Sequence, residues 1–324
     1  MKYFVTGATG FVGGVLAKRL REAGHEVNAS VRSPEKAKDL HTLGVKLFKG
    51  DVTEKESMRE AMTGVDGVYH VAGWYKVGKK YKSGGVQVNI NGTRNVLELM
   101  QELKIPKGVY TSTLAVNSDT KGKLVDETYH FTGEHLSEYD RTKAAAHDIA
   151  KEFIAKGLPL VIVQPGLIYG PGDTSSLRTS LLSLLKGQLP MLPKQTAMCW
   201  AHVDDIVHGH ILAMEKGKVG ESYIICGEKY ELYEAFKLAA QTAGVRTPMA
   251  AAPGIMKVMS VLVKPFDALM PESYTSEGLR VIAGITYIGD NSKAKRELGY
   301  DPRPVSEGWV ETVRHEMKLQ GTVG

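Results

Sequence analysis

Tyr139 and Lys143, in the run Tyr-Asp-Arg-Thr-Lys, have the types and the spacing for proton chemistry. On a helix, residues four apart share one face, a single turn apart. An ammonium beside a phenol stabilises the phenolate. This predicts a tyrosine pKa lowered from its usual value of about 10 toward the working pH. Such a phenol can give a proton to a carbonyl oxygen or take one from an alcohol. Upstream, the stretch Tyr110-Thr-Ser-Thr-Leu-Ala-Val116 closes a strand-like run with hydroxyls at Ser112 and Thr113. Either hydroxyl could hold a reacting oxygen. Strand alternation points them to opposite faces, so one would serve the chemistry and the other local strand-end bonding.

A third group of residues suits a phosphate. Residues 3–13 read YFVTGATGFVG, a short β-rich run leading into Gly7, Gly10 and Gly13 and then an amphipathic helix pattern. Gly7 lets the strand turn sharply. Gly10 removes a side chain where a pyrophosphate approaches backbone N–H groups, and Gly13 lets the helix pack close to the sheet. Three features raise the motif above a bare structural turn. It opens the first βα unit, a second strand follows, and the Tyr–Lys pair comes later.

The elements that must position these groups alternate through the first half. Strands are expected at Lys2–Thr6, Glu26–Val31, Lys46–Phe48, Gly67–Val71, Gly108–Ser112 and Leu160–Gln164. Helices are expected at Phe11–Ala23, Glu35–Leu43, Lys55–Met62, Val86–Leu103 and Glu138–Lys156. The strands are continuous apolar runs, as expected for a parallel sheet covered on both faces. This is an α/β, doubly wound pattern. After Pro165 the loops lengthen, and glycine and proline cluster in PGLIYGPGD. One strand-like run, Ser222–Cys226, is expected to rejoin the sheet. Residues 228–324 read as mostly helical, with late helices at Asn291–Leu298 and Val305–Leu319. The Met- and Ala-rich stretch 249–284 predicts helices over a substrate cleft, as core or lid rather than a membrane surface.

These motifs together resemble an extended short-chain dehydrogenase/reductase. They are TGATGFVG, Asp51-Val52, His70-Val71-Ala72-Gly73, Asn89 with Asn91-Gly92-Thr93, YTSTLAV, YDRTK, QPGLIYGPGD and AHVDDI. The resemblance covers nearly the whole chain and points to the dihydroflavonol reductase-like branch, within the NAD-dependent epimerase/dehydratase superfamily. It implies a Rossmann-type sheet with a smaller, mostly helical, interleaved substrate lobe. On that division, residues 1–165 bind the dinucleotide and are rejoined by about 203–227, while 166–202 and 228–324 face substrate. The resemblance makes Tyr139 the general acid/base and Lys143 the residue that holds the nicotinamide ribose and tunes that tyrosine. It favours Thr113 over Ser112 for the hydroxyl. Asp51 and Val52 would flank the adenine. Val71, Ala72 and Gly73 would line the cofactor groove, and Pro165 and Gly166 would approach the nicotinamide amide. Thr9, Phe11 and Val12 join the glycines as cofactor contacts. Asn89 is expected to order a water or the active-site helix beside the cofactor.

The end of the second strand bears on which cofactor binds. NAD-selective relatives carry an acid there, bonded to the ribose 2′-OH. Here the place is Val31, with Arg32 following and Lys36 and Lys38 just beyond. An arginine fork suits a 2′-phosphate, and with no carboxylate present to repel it the reading is NADP(H). Nucleotide-sugar enzymes tend to carry an arginine four residues before the His-Val-Asp-Asp motif, where this chain has Met198. Both departures favour an NADPH-dependent reductase of a ketone or aldehyde. The alternatives are a sugar epimerase or dehydratase, and a non-catalytic dinucleotide-binding sensor.

Composition narrows the partners. A net charge of +5 over 324 residues suits an anionic cofactor but is too small and dispersed for nucleic acid. The partner is expected to be a small-molecule carbonyl or alcohol, and a homodimer is compatible with this reading. The ten histidines show no metal-ligand spacing, so no metal is expected. Asp204 and Asp205 are expected to cap a helix starting near Ile206. The loop Tyr75–Gly85, with four lysines, reads as a mobile solvated loop that could attract an anionic substrate. The first strand leaves no room for a signal peptide, and Cys199 and Cys226 imply no disulfide framework, so a cytoplasmic enzyme is expected. The stretch Met249–Met270 is too interrupted by proline and lysine to span a bilayer.

Overall fold

In the computed structural model, residues 1–75, 82–267, 269 and 275–321 are described. The first six strands are β1 (Lys2–Thr6), β2 (Glu26–Val31), β3 (Lys46–Lys49), β4 (Gly67–His70), β5 (Gly108–Thr111) and β6 (Leu160–Pro165). Seven more follow: β7 (Leu167–Tyr169), β8 (Met191–Pro193), β9 (Ala197–His202), β10 (Ser222–Ile225), β11 (Lys229–Glu231), β12 (Met249–Ala251) and β13 (Thr286–Tyr287). The main sheet has the order β10-β6-β5-β4-β1-β2-β3, and every neighbouring pair is parallel. The winding direction reverses beside β1, which is where an open α/β sheet leaves a crevice at its carboxyl edge.

Alternation along each strand builds a core on either face. Val5, Ala29, Val109 and Val161 pack with Leu16, Ala17, Ile206 and Ala213. Their neighbours Phe4, Val68, Tyr110 and Ile162 pack with Val96, Leu97, Ala146 and Ala150 on the opposite side. This two-sided burial is why the strands read as unbroken apolar runs.

At the head of β1 two glycines are sterically required. Gly7 has φ +71°, and a Cβ there would lie 2.8 Å from the Ala72 backbone nitrogen. A Cβ on Gly13 would lie 2.2 Å from the Gly7 carbonyl oxygen. The helix Phe11–Glu22 therefore packs against the turn with no room for a side chain.

Several expectations are corrected. Beyond Pro165 the chain is richer in strands than expected. β7, β9, β11 and β13 form a second sheet, and β8 pairs with β12. These strands are two to six residues long, too short for a period to stand out, and long-range pairing defines them. The segment Val86–Gly92 is π-helical before the α-helix Thr93–Glu102 begins. Residues 34–43 form a 3₁₀ turn, Pro34–Lys36, and a short helix, Lys38–Thr42. Asp204 and Asp205 are not caps. The helix Val203–Lys216 starts earlier, and His202 Nδ1 accepts the Asp204 N–H. Asp204 instead pairs with Arg19 at 3.0 Å, and Asp205 pairs with Arg303 at 3.0 Å. The helix Pro253–Val263 is not simply core, because its outer face is apolar and exposed.

Among the described residues, no helix is long and apolar enough to cross a membrane. Replacing Gly13 with alanine should force the first helix off the turn. The expected loss is about 1–3 kcal/mol of stability, read as a lower urea midpoint. An unchanged midpoint would show that the close approach at the turn is not required.

Candidate functional site

The parallel order brings the candidate residues from six strands to one edge. Gly7 follows β1, Arg32 follows β2 and Asp51 lies just beyond β3. Val71 follows β4, Ser112 follows β5 and Gly166 follows β6. The helix Glu138–Ala155 starts at this edge and carries Tyr139 and Lys143. Its start is held firmly. Ser137 Oγ accepts the Asp140 N–H at 3.1 Å and donates to Asp140 Oδ1 at 2.8 Å. Tyr287 of β13 donates to Asp140 Oδ2 at 3.0 Å, tying the second sheet to the head of this helix. No local sequence signal marks that contact.

Thr113 and Ser112 diverge as alternation requires. The Thr113 hydroxyl lies near enough to Tyr139 to favour its phenolate, and it accepts the Ala115 N–H at 3.2 Å. Ser112 is buried, and its Oγ lies 2.8 Å from His147 Nδ1, away from the tyrosine. The tyrosine pKa departs from the expectation. Burial pushes the half-buried phenol up to about 12, Thr113 pulls it down and the Asp140 carboxylate raises it further. Burial pushes the Lys143 ammonium down to about 7. Its Nζ donates to the Thr111 carbonyl at 2.7 Å and to Tyr110 Oη at 3.3 Å rather than to Tyr139.

Behind Lys143 runs a buried polar chain. Thr6 Oγ1 accepts the N–H groups of Val71 and Ala72 at 3.1 and 3.0 Å. Its own proton is then free for His70 Nδ1, 2.8 Å away. This places the single ring proton of His70 on Nε2, which lies 3.0 Å from Thr93 Oγ1 and donates to it. Thr93 lies beside Tyr110, whose ring stacks on His70 and lies under the Lys143 ammonium. Burial pushes His70 down to about 3, so it is neutral here. Thr6, His70, Thr93 and Tyr110 stand within the quoted motifs, but the motif reading gave them no role. Their signal was hydroxyl and imidazole groups in the otherwise apolar strands β1, β4 and β5, with Thr93 at the start of a helix.

Asn89 is 1% exposed and turned inward. Its Oδ1 accepts the Trp74 N–H at 2.7 Å, and its Nδ2 donates to the Trp74 carbonyl at 2.9 Å and to Thr142 Oγ1 at 3.0 Å. It thus pins the segment after β4 to the Tyr139 helix, and the π-helical turn supplies its position. Val52 is buried against Gly92, where a Cβ would meet it at 2.9 Å. Pro165 is buried, and Gly166 backs on Cys199, whose carbonyl oxygen a Cβ would meet at 2.2 Å.

The residues fit a dinucleotide. Gly10 caps the first helix in extended geometry with no side-chain cap, leaving the first-turn N–H groups open to an anion. Thr9 and Gly10 are exposed, and Phe11 and Val12 half-buried, beside Ala72 and the exposed Gly73. A Cβ on Gly73 would lie 4.0 Å from Lys143 Nζ. At the far end, Arg32 is 80% exposed and Lys36 is exposed. The strand end itself carries no acid, but the expectation of no nearby carboxylate needs correcting. Asp51 Oδ2 lies 4.0 Å from Arg32 Nε, while its Oδ1 is held by the N–H and hydroxyl of Thr53. The lysines at 76, 79 and 80 lie outside the described residues, as does the side chain of Lys82. Among the described residues, no cluster of three His, Cys, Asp or Glu is arranged to hold a metal.

Comparison with known proteins agrees with this geometry. The chain is 30% identical over 323 residues to a protein of Synechocystis sp. provisionally named dihydroflavonol 4-reductase, covering 96% of this chain and 93% of that one. It is 29% identical over 331 residues to a 4-hydroxy-2-methyl-3-oxo-4-farnesyl-3,4-dihydroquinoline-1-oxide ketoreductase of Stigmatella aurantiaca, covering 97% and 96%. The crystal structure of gox2253 superposes with a TM-score of 0.84 at 30% identity, over 99% of both chains. A UDP-glucose 4-epimerase of Thermotoga maritima shares the fold, with a TM-score of 0.81 at 21% identity over 99% of this chain and 100% of that one. The family model described as "NAD dependent epimerase/dehydratase family" matches residues 3–226. This chain therefore belongs to that family of nicotinamide-dinucleotide enzymes acting on CH–OH and carbonyl groups, as an extended short-chain dehydrogenase/reductase.

Proposed function

We propose that this protein is an NADPH-dependent reductase of a ketone or aldehyde, with Tyr139, Lys143 and Thr113 as its reacting cluster. The observation that carries this is the Thr113 hydroxyl lying beside the Tyr139 phenol, on the face away from Ser112, at the carboxyl edge of the sheet. A nicotinamide dinucleotide supplies the hydride when bound. With its pKa pushed up to about 12, Tyr139 enters as a neutral phenol, which is the form that gives a proton to a reduced carbonyl oxygen. Thr113 donates to the same oxygen as charge develops on it. Lys143, held by Thr111 and Tyr110, would hold the cofactor ribose and steady the phenolate left after proton transfer. Ser112 serves as a strand-end anchor through His147. Segments 166–202 and 228–324 form the substrate side in this reading.

NADPH is favoured over NADH by the bare end of β2 and the exposed Arg32. Reduction is favoured over sugar epimerisation by the uncharged Met198, half-buried on β9, and by the names of the ketoreductase and dihydroflavonol reductase relatives.

NADPH consumption over a panel of ketones and aldehydes tests the chemistry. Tyr139→Phe should lower turnover by about 10²–10⁴ while leaving NADPH affinity nearly unchanged. Thr113→Val should lower it by about 10²–10³, and Ser112→Ala by much less. A larger loss for Ser112→Ala would reverse the two hydroxyls. Failure of every carbonyl to turn over would favour the sensor reading.

Cofactor titration tests the selectivity. NADPH should bind more tightly than NADH, and Arg32→Ala should weaken NADPH by about tenfold or more with little effect on NADH. Equal affinities, or tighter NADH, would favour the epimerase or dehydratase reading.

A further inference from the structure

The helix Pro253–Val263 is apolar over a broad arc, only part of which is buried. Its inner side is conventional: Met256 is buried with Ala251, Leu279 and Ala283, and Met259 and Val263 pack against them. Its outer side shows Ile255, Val258, Val261 and Leu262 at 54, 60, 70 and 66% exposure. Phe266 and Leu269 extend the patch at 57 and 84%. Single exposed hydrophobes are ordinary, but six within fifteen residues form a contiguous apolar surface. A helix whose apolar arc extends well beyond its buried face has surface suited to a core or to lipid.

Charge and size select the occupant. Lys257 and Lys264, seven residues apart, share one flank of the exposed stripe, and both are exposed. No acidic residue occurs from 253 to 266. The first one, Asp267, is held by the N–H and hydroxyl of Ser276. Eleven residues make a helix about 16 Å long, and one stripe of it falls well short of the roughly 800 Å² per partner of a stable dimer. The same stripe, rimmed by lysine, suits the boundary between acyl chains and anionic headgroups, where such a helix lies flat.

We infer that this face docks the protein on an anionic lipid surface, lying on the bilayer without crossing it. The neighbouring helix, Ser276–Val281, links the docked face to the candidate site. Its Arg280 donates to the Leu136 carbonyl at 3.0 Å, one residue before the Ser137 cap of the Tyr139 helix. Resting on the reductase reading, such docking would let an apolar carbonyl compound pass from lipid to the site. The docking itself does not depend on the reaction.

Flotation of the full chain with vesicles tests it, using phosphatidylcholine alone and phosphatidylcholine mixed with phosphatidylglycerol. Binding should be tighter to the mixed vesicles and weaken with added salt. Val261→Ser with Leu262→Ser should reduce partitioning at least about tenfold. Lys257→Gln with Lys264→Gln should remove about tenfold of the preference for mixed vesicles. All four side chains are exposed, so unchanged thermal midpoints are expected and show that the variants fold. The inference is overturned if the protein stays in solution with both vesicles, or if the Val261/Leu262 variant binds as well as the parent. A dimer in light scattering that this variant splits, without vesicle binding, would assign the face to a second copy and overturn it too.

Discussion

Burial of the Lys143 ammonium is the constraint on which the site depends. A buried cation is tolerated only with good acceptors around it. The Thr111 carbonyl and Tyr110 Oη supply them, and both come from the carboxyl end of β5. That strand end must therefore lie beneath the second turn of the Glu138–Ala155 helix. Tyr110 lies beside Thr93 and is stacked on His70, and His70 is held by Thr6 at the head of the glycine turn. A run of buried polar groups thus links the glycine turn to Lys143. Each member satisfies its neighbour, and the cost of leaving any of them unpaired keeps the register tight.

The same helix is fixed from the other side by charge and capping. Ser137 and Tyr287 hold Asp140, so the first turn cannot move without breaking its own cap and a contact to the second sheet. Asn89 pins the segment after β4 to Thr142 on that helix. Asp205 and Arg303 join the Val203–Lys216 helix to the chain just before the last helix. Strands β7 and β9 then pair side by side, with Trp200 packed against Tyr169 and Trp309. The region beyond β6 is thereby locked onto the sheet edge by specific polar ties as well as by its own apolar core.

Local pattern made much of this legible. The glycine spacing of residues 7, 10 and 13 demanded a strand–turn–helix, and the contacts of Gly7 and Gly13 show why no other residue fits. Continuous apolar runs required a sheet covered on both faces. The four-residue spacing placed Tyr139 and Lys143 on one helix, and strand alternation required that Ser112 and Thr113 part. These are short-range consequences of backbone period and sterics, so they survive without knowledge of the tertiary fold.

Other features had no local signature. The second sheet is built from strands of two to six residues whose partners lie tens of residues away, as with Leu167 opposite Trp200. The tyrosine pKa was misjudged because i, i+4 spacing measures proximity and not desolvation. Burial, set by everything packed around the phenol, outweighs a lysine whose ammonium is engaged elsewhere. The acid pair Asp204 and Asp205 looked like caps until their distant arginines were brought to them. The sequence alone therefore determined the turn, the parallel sheet and the residues carried to its edge. Tertiary structure decided which of them touch, which charges are buried and which apolar face is left to the solvent, because pairing and desolvation are properties of the assembled molecule.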